Sequence, residues 1–262
     1  MSEALPADPA ALVAALPDVA KWVYARSLLL SGAGSVRLGA TGDAALVFDS
    51  TTAVLVGRPD PELLHDALAG YSLGPALLVQ EEAMVVARAV LPGWATRPFV
   101  VHALPRPVTP NTTPPTGVIV SAPLDPVALA GLPDEVRADA ADAPAAAVRV
   151  VDGVPVAVCA VSDLTETLWD VGIDTIEPAR RQGHGTAVFL ALASTMAAQG
   201  RQPVWAAYED YLPSLALAAR LGFLPVARMA ELTRPGVAIG MGAAPWGGNI
   251  NPESTDRGRP VR

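Results

Sequence analysis

The 262-residue chain contains one cysteine, Cys159. It can therefore form neither an intramolecular disulfide nor a zinc site built on several thiolates. Basic residues are also scarce: 18 Lys and Arg stand against 26 Asp and Glu, a formal charge of -8. A general binder of phosphate backbones needs clustered cations, so nucleic acid is not an expected partner. No apolar run reaches the ~18 residues needed to cross a bilayer. The opening MSEALPADPA is acidic and lacks the basic and apolar regions of an export signal. The expected setting is cytoplasmic, away from membranes. There is no Gly-Lys-Ser/Thr sequence to hold a Mg-nucleotide, and no second glycine pattern with a downstream ribose-binding acid. His65 and His102 lack partners at metal-ligand spacing, so no metal is expected.

Apolar residues make up 51% of the chain, and 26 prolines and 22 glycines are spread through it. This composition suits a large core assembled from short elements joined by turns. Asp18 to Leu30 has helical spacing. Ala44 to Phe48, Thr52 to Val56 and Ala76 to Val79 read as strands, as does Pro98 to Leu104. Pro59 to Ala69 and Glu81 to Val90 read as helices. The first half, residues 1–105, is thus expected to be an α/β accessory domain. Pro105 to Pro115 can sustain neither helix nor ladder, which makes residues 106–116 a linker.

Beyond it, residues 117–239 read as a second α/β domain and 240–262 as a flexible tail. Gly117 to Ser121 is β-like, Pro126 to Leu132 helical, and Asp134 to Asp142 an alanine-rich acidic stretch. A meander follows over Ala146 to Val151, Val154 to Val161 and Leu168 to Thr175, with Asp152-Gly153 as a hairpin turn that tolerates positive φ. A helix from His184 or Gly185 to Gln199 is closed by Gly200. The strand Pro203 to Tyr208, a helix from Pro213 to Arg220 and the strand Leu224 to Leu232 complete the order.

Arg180-Arg181-Gln182-Gly183-His184-Gly185 joins an apolar strand to a helix. Free amides would converge there at a helix N-terminus, which favours an anion, and glycine at 183 and 185 lets phosphate oxygens approach the main chain. The order of strand, Arg-x-x-Gly-x-Gly, helix, Pro-x-Trp strand, helix and Leu-Gly-Phe, spanning Asp170 to Phe223, resembles the GNAT superfamily of N-acetyltransferases. Val171-Gly172-Ile173-Asp174-Thr175 and Pro203-Val204-Trp205 carry that resemblance further. It implies a GNAT-like mixed sheet flanked by helices, with a parallel pair across the cofactor helix. It also implies acetyl-CoA as co-substrate. Backbone groups of Ile173 and Thr175 would bind the pantetheine arm. Gln182, Gly183, His184, Gly185 and Thr186 would cradle the pyrophosphate near Arg180 and Arg181, and Ser214 would add a contact from the next helix. The thioester would lie where the flanking strands diverge. The first half, lacking such a loop, reads as a degenerate GNAT-like unit that covers the acceptor side.

Transfer to an ammonium requires a base and a proton for the leaving thiolate. Asp170 stands where many members of the superfamily carry a glutamate, with Glu166 as second candidate. The tyrosine often found four residues before the glycine of the terminal Gly-Phe is Ala218 here. The asparagine three residues before the helix serine is Tyr211. Tyr208 or Tyr211 would replace the missing phenol only if the loop before the helix folds inward. The resulting expectation is transfer of acetyl from acetyl-CoA to the primary amine of a small molecule. A non-catalytic CoA or acyl-CoA binder is the alternative. The sequence leaves a homodimer open.

Overall fold

The structure, a computed structural model, describes residues 4–70, 76–111 and 115–236. The tail expected over 240–262 lies outside the described residues. The chain opens with α1 (Pro9–Ala15), whose first turn is capped by Asp8 accepting from the Ala11 amide at 2.8 Å. A single 3-10 turn leads into α2 (Val23–Leu30). Strands β1 (Ser35–Leu38), β2 (Ala44–Phe48) and β3 (Thr52–Gly57) form an antiparallel ladder. Helix α3 (Pro61–Gly70) carries the chain to β4 (Ala76–Gln80), and α4 (Met84–Val90) to β5 (Ala95–Ala103). The second half holds β6 (Val118–Ser121), α5 (Asp134–Asp142), and a second antiparallel ladder of β7 (Ala146–Val151), β8 (Val154–Leu164) and β9 (Leu168–Thr175). Helix α6 (His184–Ala198), β10 (Gln202–Tyr208), α7 (Leu212–Arg220) and β11 (Leu224–Thr233) follow.

Among the described residues, eleven strands form one sheet, in the order β1-β2-β3-β4-β11-β5-β10-β9-β8-β7-β6. Apart from β6, the order is symmetric about the β11–β5 pair when β1 to β5 are matched with β7 to β11. Strand β3 pairs parallel with β4 across α3, as β9 pairs parallel with β10 across α6. The last strand of each half is lent to the other: β11 pairs with β4, and β5 pairs with β10. β5 and β11 then pair with each other along their whole lengths. The first half therefore repeats the unit of the second.

Side-chain alternation along the strands divides the apolar residues between two faces. Phe99, Val101, Val204, Ala206 and Tyr208 pack with Leu12, Trp22 and Tyr24 beneath α1 and α2. On the opposite face, Trp169, Val171, Trp205 and Ala207 pack beneath α6 with Phe189 and Phe223. Cys159 lies in that second core, fully buried, and burial pushes its thiol pKa up. It is a small core residue rather than a nucleophile.

Helix α2 belongs to the first half in sequence yet is stitched to the second. Buried Arg26 donates to the Val13 carbonyl at 2.6 Å and to that of Leu16, and its other nitrogen reaches Glu166 Oε1 at 2.6 Å. Asp18 accepts from the Thr167 amide at 2.9 Å and from the Thr165 hydroxyl at 2.8 Å. The Leu164 amide donates to Ser27 Oγ at 3.2 Å. The proline-rich segment is held too, since Val108 and Gln202 exchange hydrogen bonds at 2.6 and 3.3 Å.

The sequence expectations that fail are local. Pro126–Leu129 is a 3-10 turn, where a longer helix was expected. The acidic alanine-rich stretch, to which the sequence reading gave no element, is helix α5. Ser35–Leu38, to which the sequence reading gave no element, is β1.

Arg26→Ala would leave two carbonyls and Asp18 short of a donor. The expected cost is about 2–3 kcal/mol, reduced by the exposure of Glu166, and urea denaturation measures it.

Candidate functional site

Strands β9 and β10 pair only at Leu168 with Gln202, Trp169 with Pro203, and Asp170 with Val204. Past that point β10 keeps its antiparallel partner β5 as far as Tyr208, while β9 keeps β8 as far as Thr175. A wedge therefore opens between them. The divergence expected of these two strands is present.

At the mouth of the wedge lies a cleft of about 470 Å³, lined by Ile173 and Thr175 of β9, by Arg180 and Arg181, by Gly183 to Thr186, and by α7. Three guanidinium groups, Arg180, Arg181 and Arg220, border it. Gly183 has φ of 84° and Arg181 of 61°, so the turn enters α6 through the left-handed region. No side chain caps α6, leaving its first amides available to an anion. The equivalent helix of the first half differs: Asp60 Oδ1 accepts from the amides of Glu62 and Leu63 at 2.9 and 3.1 Å, filling the N-terminus of α3 with the chain's own carboxylate. At Gly185 a Cβ would come within 3.3 Å of Thr175 Oγ1 and 3.5 Å of Ile173 Cδ1, so any side chain there narrows the slot.

The cleft gathers most of the residues expected to hold a cofactor: Ile173, Thr175, Arg180, Arg181, Gly183, His184, Gly185, Thr186 and Ser214. Gln182 is absent from the lining; its side chain turns back to donate to the Pro178 carbonyl at 3.1 Å. Ser214 is buried and accepts from the Trp205 indole at 3.0 Å. Arg180 Nε donates to the Thr175 carbonyl at 3.1 Å, tying the loop to the strand end. Sequence reasoning missed Pro213, Ala216, Leu217 and Arg220 of the lining. Their spacing of three and four residues marks one face of α7, a signal that was present in the sequence.

The two candidate bases fare differently. Glu166 lies on the turn before β9, at the closed end of the strand pair, exposed and ion-paired with Arg26 at 2.6 Å. Asp170 stands at the apex of the wedge, completely buried. Its neighbours Trp169 and Val171 pack beneath α6, so its side chain is on the α2 face. A bulge in β8 sets both Ser162 and Asp163 opposite it, because Val161 pairs with Val171 and Leu164 with Trp169. Neither carboxyl oxygen has a partner in good hydrogen-bond geometry. Burial pushes its pKa well above the usual carboxylate range and Asp163 adds to this. The amides of Val171 and Ala206 and the Tyr24 hydroxyl pull the other way.

Three further groups have evident structural roles. Ala218, at the place of the family's tyrosine, is fully buried. The Tyr208 hydroxyl donates to Glu231, with the Arg97 guanidinium 3.5 Å over its ring. His102 is mostly buried and its Nδ1 hydrogen-bonds the Trp205 carbonyl at 3.1 Å; burial lowers its pKa.

By sequence, neither a family model nor a curated protein matches the chain. Solved structures do. A GCN5-related N-acetyltransferase from Kribbella flavida is 20% identical at a TM-score of 0.58, over 85% of this chain and 97% of that one. A GCN5-related N-acetyltransferase-like protein from Streptococcus suis is 18% identical at 0.57, over 86% and 96%. A tandem GNAT protein from the clavulanic acid biosynthesis pathway is 18% identical at 0.51, over 88% and 97%. Likenesses of this extent take in both halves, and they establish the GNAT fold.

A carboxyl held protonated by burial destabilises the fold once it must ionise. The folded pKa of Asp170 is raised, so this penalty is absent below the ordinary carboxylate range and grows as pH rises through the folded value. Asp170→Asn should raise the melting temperature at neutral pH by about 2–4 °C and leave it unchanged in acid, which thermal melts at both pH values will register.

Proposed function

We propose that this GNAT-fold chain transfers an acetyl group from acetyl-CoA to the primary amine of a small molecule by direct attack. The observation that supports it most is the uncapped N-terminus of α6 facing an arginine-bordered cleft at the mouth of the wedge. A diphosphate fits that site through backbone amides, helix dipole and guanidinium charge together. On this reading Gln182 to Thr186 cradle the pyrophosphate with Arg180 and Arg181, Gln182 through its backbone. The pantetheine arm bonds the backbone of Ile173 and Thr175, and Ser214 contacts it from α7. The functional division follows the proline-rich segment: residues 117–239 bind the cofactor, while residues 1–105 close the acceptor side and select the substrate.

Asp170 is the base in this proposal, reached through water. Its raised pKa is an asset, since a stronger base accepts a proton from an ammonium more readily. The net charge of -8 favours a cationic acceptor at long range. A second reading, a protein that holds CoA or acyl-CoA without turnover, draws on the complete burial of Asp170 and on Ala218.

Calorimetric titration with acetyl-CoA and CoA should give saturable binding to one site. Gly183→Asp, which sets a carboxylate where the diphosphate belongs, should weaken binding by roughly 100-fold or more. Gly200→Asp imposes the same left-handed strain, at φ of 79° beyond the far end of α6, and should bind as the wild type does. Absence of binding to the wild type sinks the proposal. In steady-state assays with an amine library, kcat/KM should rise with pH through a limb above the ordinary carboxylate range. Asp170→Asn should remove that limb and cost about 100-fold in kcat. Binding without amine-dependent CoA release would select the second reading.

A further inference from the structure

We propose that Tyr211 is the general acid of this site, the group that protonates the sulfur of departing CoA. The inference rests on the acetyl-transfer reading. Attack of the amine nitrogen on the thioester carbonyl forms the C–N bond, and its surplus proton passes through water to Asp170. Collapse then breaks the C–S bond, the electron pair leaves on sulfur, and the phenolic hydrogen of Tyr211 moves to it. The products are the amide and the CoA thiol, and the phenolate recovers a proton from solvent.

The position of Tyr211 is what singles it out. The two sides of the sheet communicate where β9 and β10 part, beyond Asp170 and Val204. A thioester whose arm runs along Ile173 and Thr175 has to react in that opening. Tyr211 is found on both sides of it: it lines the cleft beside α6 and also packs against the apolar cluster beneath α2. Its backbone is anchored in both directions. The amide donates to the Tyr208 carbonyl at 3.0 Å, and the carbonyl accepts from the amides of Ser214 and Leu215 at 3.1 and 3.3 Å. The loop before α7 is thus folded inward.

Other described candidates are occupied or remote. Tyr208 donates to Glu231, and Tyr24, on α2, is enclosed in the core. Ser214 Oγ receives the Trp205 indole, and Ala218 has no proton to give. His184 sits beside Gly183 at the start of α6, at the end of the cleft assigned to the diphosphate.

The test compares wild type with Tyr211→Phe, which removes one oxygen and keeps the ring. Both should bind CoA equally in calorimetry. The thiol of bound CoA, followed by thiolate absorbance against the free protein, should be roughly tenfold less acidic in Tyr211→Phe, because the phenol no longer donates to the thiolate. Cys159 does not interfere, its own ionisation being pushed far up by burial. In turnover, kcat should fall roughly 100-fold with KM for acetyl-CoA unchanged. Equal acidity of the bound thiol in the two proteins, or an unchanged kcat, overturns the proposal. A wild type that binds CoA yet acetylates no amine defeats the acetyl-transfer reading, and the thiol comparison still decides whether Tyr211 faces the sulfur.

Discussion

The parting of β9 from β10 is the constraint on which the site depends. Both strands are committed elsewhere, β9 to the β8 ladder through Thr175 and β10 to β5 through Tyr208. Unpaired backbone amides and carbonyls favour continued pairing, so a gap persists where each strand is held on its other side. The antiparallel partners do this, and the aromatic cluster of Trp169, Phe189, Trp205 and Phe223 fills the face behind, with ring centroids 5.5 to 6.4 Å apart. The wedge is therefore part of the resting fold.

Repetition of the unit sharpens the meaning of what differs between the halves. Both contain a parallel pair bridged by a helix, and both place the start of that helix near the end of the first strand. In one half the helix start meets Asp60, in the other it faces a cleft bordered by arginines. A carboxylate bound to the first amides makes the fold self-sufficient there, and an uncapped start is stabilised by whatever anion arrives. On the proposed function, the same architecture serves as scaffold in one half and as receptor in the other.

Much of the second half was legible in the sequence because its signals are local. Asp152 and Gly153 adopt the positive φ of a hairpin turn, at 49° and 80°, and the Arg-x-x-Gly-x-Gly loop leads into α6 as read. The lending of strands was illegible, since nothing in Ala95–Ala103 or Leu224–Thr233 records which ladder each will join. Asp170 was found by its place in a pattern, but its burial depends on Tyr24 and α2, which are remote in sequence. Pro126–Leu129 has a proline start that suits a 3-10 turn as well as an α-helix, and length alone did not separate them. Gln182 was expected among the cofactor contacts because of its position in the loop, yet its side chain caps a local carbonyl.

The lending of β5 and β11 also governs how the chain can be assembled. β11 is the last of the described strands in sequence and lies near the middle of the sheet, between β4 and β5. During synthesis from the N-terminus, β4 and β5 must wait with open edges until residue 233 has emerged. The sheet is thus completed by insertion at its centre rather than by growth at a rim. Neither half is a closed body until the other is present, so separating them would free three strand edges in each: one of β4 and both of β5, and one of β10 and both of β11.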